Sequence, residues 1–369
     1  MSPGRPAEAM RVMTKGAAWA LFGVLICLGF AACQPPPGSP ASGPAPARAE
    51  PAAPEPATAA PVAREPASPM PPAPRVALTV HNFDNTVTTA IIRHAIDKGF
   101  YEQEGLDVTL QNGDASVGVQ LLASGHVQFS TSVGSAMAAA VRGVPVKVVF
   151  VSADRPLWWM FAKPSITSVG DLRGKVVGVS SAGSSLTIVA KLILERYGLG
   201  ADDVSYLNVA SPQRLPALES GAVDAAFLVA PGNLLAAQAG LRQLFGSADE
   251  GVLLTTEGLA TSDEYLQDNA PIVRRMLRAS LRGLVDMRAN RADAIATVAD
   301  FTGIDAADAA ATYDLALPTW TSAGVADSPA LQQSIEIMKQ VAEVTTPVDE
   351  AQAYDLRLAR EVAAELGVH

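Results

Sequence analysis

Cysteine is nearly missing from these 369 residues, with only Cys27 and Cys33, and histidine occurs four times, at positions 81, 94, 126 and 369. Two cysteines, both inside the N-terminal apolar stretch, exclude a disulfide scaffold, a CxxC redox site and a cysteine-based zinc site. The histidines fall at no metal-ligand spacing, so no metal and no cofactor are expected. Basic residues are outnumbered 27 to 37, for a net charge of −10. That balance argues against nucleic acid as a partner. Catalytic signatures are missing too. "GDLRGK" lacks the spacing and the Ser/Thr of a phosphate-binding loop, "GSSLT" lacks the second glycine of a G-x-S-x-G elbow, and no S-x-x-K occurs.

What is present begins with a leader. Arg5, Arg11 and Lys15 precede "GAAWALFGVLICLGFAAC", a short apolar run that stops at Cys33. A positive start, a short greasy stretch and small residues before a break describe a secretory signal, and the run sits at the short edge of a membrane-spanning helix. Ala31-Ala32-Cys33 resembles the lipobox of bacterial lipoproteins, with Phe30 where Leu is usual, so residues 1–33 read as a signal peptide and Cys33 as the lipidated residue. Residues 34–74 hold 15 of the 27 prolines and almost nothing to bury, the composition of an extended tether. The expected location is the periplasm or cell envelope, as a membrane-anchored lipoprotein.

About 295 residues follow, with 22 basic and 33 acidic side chains. That length exceeds what one core sustains, so two lobes are expected. Short apolar runs such as "VALTVHN", "GLDVTLQN", "PVKVVFVS" and "VVGVSS" alternate with helical segments, the pattern of an α/β chain with parallel crossover units. One phrase occurs twice. "LLASGHVQF" and "ALESGAVDAA" share a helix end, a Ser-Gly stop and a strand, with Leu122, Ser124, Gly125 and Val127 answered by Leu218, Ser220, Gly221 and Val223. Two lobes on one plan would face each other across the carboxyl ends of their strands, where parallel α/β sheets bind ligands.

The ordered set "HAIDKGFYEQEGLDVTLQNG", "QLLASGHVQFSTSVGSAMAAAVRGVPVKVV", "SITSVGDLRGKVVGVSSAGSS" and "LPALESGAVDAAFL" resembles the substrate-binding proteins of ABC importers, in the branch handling nitrate, sulfonates, taurine and pyrimidine precursors. The resemblance implies a periplasmic-binding-protein type II fold: two lobes, each a mostly parallel sheet flanked by helices, with a cleft between. Its boundaries here are 75–165 for the first part of lobe 1, 166–250 for lobe 2, and 251–369 for the return to lobe 1 and the C-terminal helices. It implies a monomer that carries a small-molecule solute to a permease and its ATPase. Pyrimidine-precursor synthases resemble the same family but depend on a Cys-rich stretch and an iron site, which the mature chain lacks. A ligand-sensing or docking module is the other rival.

Candidate ligand contacts fall in four places. Ser181, Gly183, Ser184, Ser185 and Thr187 form a strand-to-helix turn whose N–H groups favour an anionic or acceptor-rich group; ordinary helix capping by serine is the alternative. By resemblance, His81, Asn82 and Asp84 after the first strand, and Ser132, Val133, Gly134 and Ser135 after the third, line the cleft; a lone histidine after a strand also serves as a structural hydrogen-bonder. Ala230, Pro231 and Asn233 occupy the equivalent loop of lobe 2. Arg155 is the expected partner for Asp84. Trp158 and Trp159 point to opposite faces of a strand, so one packs in the core and the other is free to stack on a flat solute.

Overall fold

The computed structural model describes residues 75–113, 115–180 and 184–369. The signal, Cys33 and the tether lie outside the described residues, as do Ser181 and Gly183. Ten strands form two five-stranded sheets: β1 Val76–Asn82, β2 Leu106–Asn112, β3 Phe129–Ser130, β4 Val146–Ala153, β5 Trp158–Ala162, β6 Val176–Val179, β7 Ser205–Asn208, β8 Ala225–Val229, β9 Arg242–Gly246 and β10 Glu257–Ser262. The strand orders are β2-β1-β3-β10-β4 and β7-β6-β8-β5-β9. Helices cover the sheets, so this is a two-lobed α/β fold.

The two orders are the same plan written twice. β1 pairs in parallel with β2 and β3, as β6 does with β7 and β8. The fourth strand of each sheet enters antiparallel: β10 beside β3 and β4, and β5 beside β8 and β9. Each sheet is therefore mostly parallel, with four strands running one way and one reversed strand between them. The cause is topological, because the chain crosses between lobes twice and each crossing delivers its strand in the reverse direction. It also moves a boundary. β5, expected in lobe 1 up to residue 165, belongs to the second sheet, so the first crossing lies at residues 154–157.

The repeated phrase is a repeat of hydrogen bonds as well as of letters. Val127 N–H donates to Leu121 O and Val223 N–H to Ala217 O, at 3.3 and 3.2 Å. Ser124 and Ser220 each turn the hydroxyl back onto the carbonyl three residues earlier. Gly125 and Gly221 take φ of +70° and +80°, the left-handed conformation that ends a helix at little cost only for glycine. Each unit then leads into a strand buried on both faces, with Phe129 in one lobe and Ala225 and Phe227 in the other.

The crossings run side by side. Leu254 N–H donates to Asp154 O, and the buried Ser247 hydroxyl donates to Pro156 O while accepting from Trp158 N–H. Helix Ser328–Ala342 packs against helix Val133–Val141 of the first lobe and helix Ser185–Arg196 of the second. Its Leu331, Ile335 and Met338 share one apolar core with Met137 and Val189. Full burial of each such side chain contributes about 1.5–3 kcal/mol, so the lobes are joined by packing as well as by two peptide segments.

Candidate functional site

A cavity of about 550 Å³ lies between the lobes at the carboxyl ends of the strands, a volume typical of small-molecule sites. The loop after β1 supplies Phe83, Asp84, Thr86, Val87 and Thr88, and the turn after β3 supplies Ser132, Val133, Gly134 and Ser135. Across from them stand Ser180, Ser185 and Leu186 after β6, Ser211, Pro212 and Arg214 after β7, and Val229 and Ala230 at the end of β8. Thr256 and Glu257 enter from the second crossing, and Leu157 and Trp158 from the first.

The first loop is longer than the sequence implies. The helix after β1 begins only at Ala90, with Phe83 onward forming the loop. The threonines hold the loop open instead: Thr89 Oγ1 donates to Asp84 O at 2.8 Å, and the Thr86 hydroxyl lies 2.9 Å from that of Thr88. Such side-chain bonds to nearby groups compete with the helical ladder. Residues 83–89 are freed by this to form one wall.

Three helix N-termini converge on the cavity: Val133–Val141, Ser185–Arg196 and Ser211–Glu219. Their first-turn N–H groups carry partial positive charge toward it. Ser184 is the N-cap of the second helix, its Oγ accepting from Thr187 N–H at 3.3 Å. Thr187 is fully buried and donates to Ser180 O at 3.1 Å. Neither residue is on the cavity wall; Ser185 is. Ser184→Ala is expected to cost about 1 kcal/mol of stability by loss of the cap, lowering the thermal midpoint, whereas Ser185→Ala should leave the midpoint nearly unchanged.

The other candidates separate in the same way. Asp84, Ser132 to Ser135, Trp158 and Ala230 stand on the wall. His81 and Asn82 have no exposed surface. His81 Nδ1 lies 3.1 Å from Ser130 Oγ and 3.3 Å from Ser132 Oγ, and Asn82 Nδ2 donates to Asp84 O and Asn112 Oδ1, so both brace the loops from behind. Trp159 packs with Phe161 and Leu218, leaving Trp158 as the tryptophan that faces the cavity. Arg155 pairs with Asp154 at 3.6 Å and lines a separate groove with Asn233 and Trp159, so it is not the partner of Asp84. Pro231 is the N-cap of helix Gly232–Gln238 and is off the cavity wall.

Two charged residues on the wall escape the sequence reading. Arg214 is 4% exposed and donates from Nε to Val209 O, from Nη1 to Phe227 O and from Nη2 to Ser180 Oγ. Burial pushes its guanidinium down to about 10. Glu257 opens β10 beside a register shift against β4, where Gly258 (φ +143°) closely approaches the Phe150 carbonyl. Such bulges re-aim a side chain, and this one turns Glu257 to the cavity. Its Oε2 is buried without a hydrogen-bond partner. Burial pushes the carboxyl up to about 7; the Thr88 hydroxyl opposes the rise and the Asp84 charge adds to it.

Residues 85–294 match the family described as NMT1/THI5 like. A riboflavin-binding protein, RibY of Chloroflexus aurantiacus, is 26% identical over 351 residues, covering 90% of this chain and 95% of its own. The periplasmic aliphatic sulphonate binding protein SsuA from Escherichia coli has the same fold, with a TM-score of 0.64 at 17% identity over 77% of this chain and 99% of that one. So does the desulfurization enzyme DSZB, with a TM-score of 0.62 at 16% identity over 79% and 100%. With more than half of its length matched, this chain belongs to the NMT1/THI5-like family and folds as the two-lobed periplasmic binding proteins do.

Proposed function

We propose that the protein is an extracytoplasmic solute-binding lipoprotein that delivers a small organic solute to an ABC importer by closure of its lobes. The solute is anionic or aromatic in character: a sulfonate, a carboxylate or a pyrimidine-like compound. The observation that carries this reading is the cavity itself, walled by both lobes with Phe83 and Trp158 beside hydroxyls and helix N-termini. A solute touching both walls favours the closed arrangement by the difference in its contacts between the two states. The names of RibY and SsuA support the reading, and the leader with Cys33 and its proline tether supports a membrane-held carrier near a permease and its ATPase.

DSZB shows that this fold also hosts an enzyme, and the wall residue Ser132 lies 3.3 Å from the His81 ring nitrogen behind it. Two facts weigh against a nucleophile there. Ser132 is only 3% exposed, and Ser130 lies nearer the same ring nitrogen. The solute-binding reading is tested by thermal shift on residues 75–369 with sulfonates, nitrate, aromatic carboxylates, pyrimidines, amino acids and riboflavin. A solute at a hundred times its Kd adds about 2.7 kcal/mol, a rise of about 5 °C for a chain of this size. A flat response to the whole panel from a folded protein would sink the reading.

A further inference from the structure

The internal repeat shows where the two walls differ. Helix Ala115–Ala123 and helix Ser211–Glu219 are the same element of the plan, related by the shift that takes Gly125 to Gly221. The strands behind them align through their partners: His81 sits opposite Ser130 and Gln111, and Gly178 opposite Ala226 and Leu207. His81 therefore corresponds to Gly178, and Gly118 to Arg214. In lobe 1 the strand carries the large polar residue and the helix a glycine, where an added Cβ would stand 2.6 Å from His81 Nδ1. In lobe 2 the arrangement is inverted, with glycine on the strand and arginine on the helix. The imidazole turns inward to Ser130 and Ser132, while the guanidinium forms part of the cavity wall.

That inversion leaves a charge without a counter-charge. Arg214 has five N–H donors and spends three on neutral acceptors, the carbonyls of Val209 and Phe227 and the hydroxyl of Ser180. No carboxylate pairs with it among the described residues. Neutral bonds of this kind do not require a charged donor, and burying an unpaired charge is costly. Asp84 and Glu257, the other charged residues of the wall, come from the lobe 1 side, and neither is in an ion pair among the described residues. Glu257 Oε2 is the converse of Arg214, a buried acceptor with no donor. The cavity is thus short of an acceptor on one side and of a donor on the other.

We infer that the cavity selects a bipolar solute, with an acidic or strongly accepting group held by Arg214 beside Ser180 and an N–H donor held by Glu257 across from it. The flat part of such a solute would lie along Trp158 and Phe83. The inference rests on the solute-binding reading and narrows it. A simple inorganic anion satisfies only the Arg214 side, and an apolar ring satisfies neither.

Calorimetric titration with three probes on one ring tests it: 4-aminobenzenesulfonate, benzenesulfonate and aniline, against the wild type, Arg214→Gln, Arg214→Lys and Glu257→Gln. In the wild type the aminosulfonate should bind at least about tenfold more tightly than either partial probe. Glu257→Gln should erase its advantage over benzenesulfonate, and Arg214→Gln its advantage over aniline. Circular dichroism confirms that each variant is folded, and the lysine variant, which keeps the charge, should retain part of the sulfonate preference. Equal affinities for the three probes, or a preference that survives both glutamine variants, would overturn the inference. Solutes of the broader panel that bind regardless of Arg214→Gln and Glu257→Gln overturn it while leaving the solute-binding reading intact. No binding of any probe or panel solute removes both.

Discussion

Arg214→Gln is expected to fold with reduced stability and to lose about 2–5 kcal/mol of affinity for an anionic solute, a fall of about thirtyfold to several thousandfold. The stability forecast comes from two opposing terms. Three hydrogen bonds from a charged donor are lost, each with a net contribution of about 1.5–3 kcal/mol. Against that, a buried guanidinium held down to about 10 carries an unfavourable charge term of about 3 kcal/mol, which the neutral amide removes. The second only partly offsets the first in the empty protein. With solute bound the loss grows, because only the charged form pairs with an anion. Arg214→Lys inverts the pattern. It keeps the charge but cannot reach Val209 O, Phe227 O and Ser180 Oγ together, so it should be the less stable variant in urea titration while binding better than the glutamine variant. A glutamine variant that unfolds, or one that binds an anionic solute at full strength, would show that the arginine is a structural brace.

The contrast between Arg214 and Ser184 shows what the sequence made legible. Glycine stops are legible because they are local: a Ser-Gly after an apolar helix terminates it in both lobes, and the same backbone bonds follow at Val127 and Val223. The loops after the first and third strands are what the family resemblance implies, and Asp84, Ser132 to Ser135, Ser185 and Ala230 reach the cavity wall. Arg214 was hidden because "SPQRLPALE" reads as a polar surface helix. Only the repeat could have exposed it, since an arginine stands where the matching helix has Gly118. Glu257 was hidden by distance along the chain. It returns to lobe 1 only after the second crossing, and its direction is set by a register shift that no local pattern encodes. Arg155 misled for a related reason, being near the hinge in sequence but turned to the opposite groove.

Glu257→Gln is expected to stabilise the empty protein above neutral pH while weakening binding. The sign follows from linkage. The folded carboxyl titrates at about 7, above its ordinary 4.5, so the folded state holds a proton that the unfolded chain releases between those values. Stability is therefore greatest below about 4.5 and declines as pH rises through 7, by at most about 3 kcal/mol. Glutamine has no proton to lose. Its advantage in a urea midpoint should be clear at pH 8 and absent at pH 4.5. Burial is the main cause of the rise, and the Asp84 charge beside Glu257 adds to it. An N–H donor on the solute reverses the balance by favouring the ionised carboxylate, so binding should release protons near neutrality. Affinity for 4-aminobenzenesulfonate should fall by about tenfold for each unit of pH below 7, and titrations in buffers of different ionisation enthalpy should report the release directly. In Glu257→Gln both the pH slope and the proton release should vanish. A slope that persists in that variant would place the titrating group elsewhere on the wall. A residue whose removal strengthens the empty fold and weakens the filled one is held in place by what binds to it.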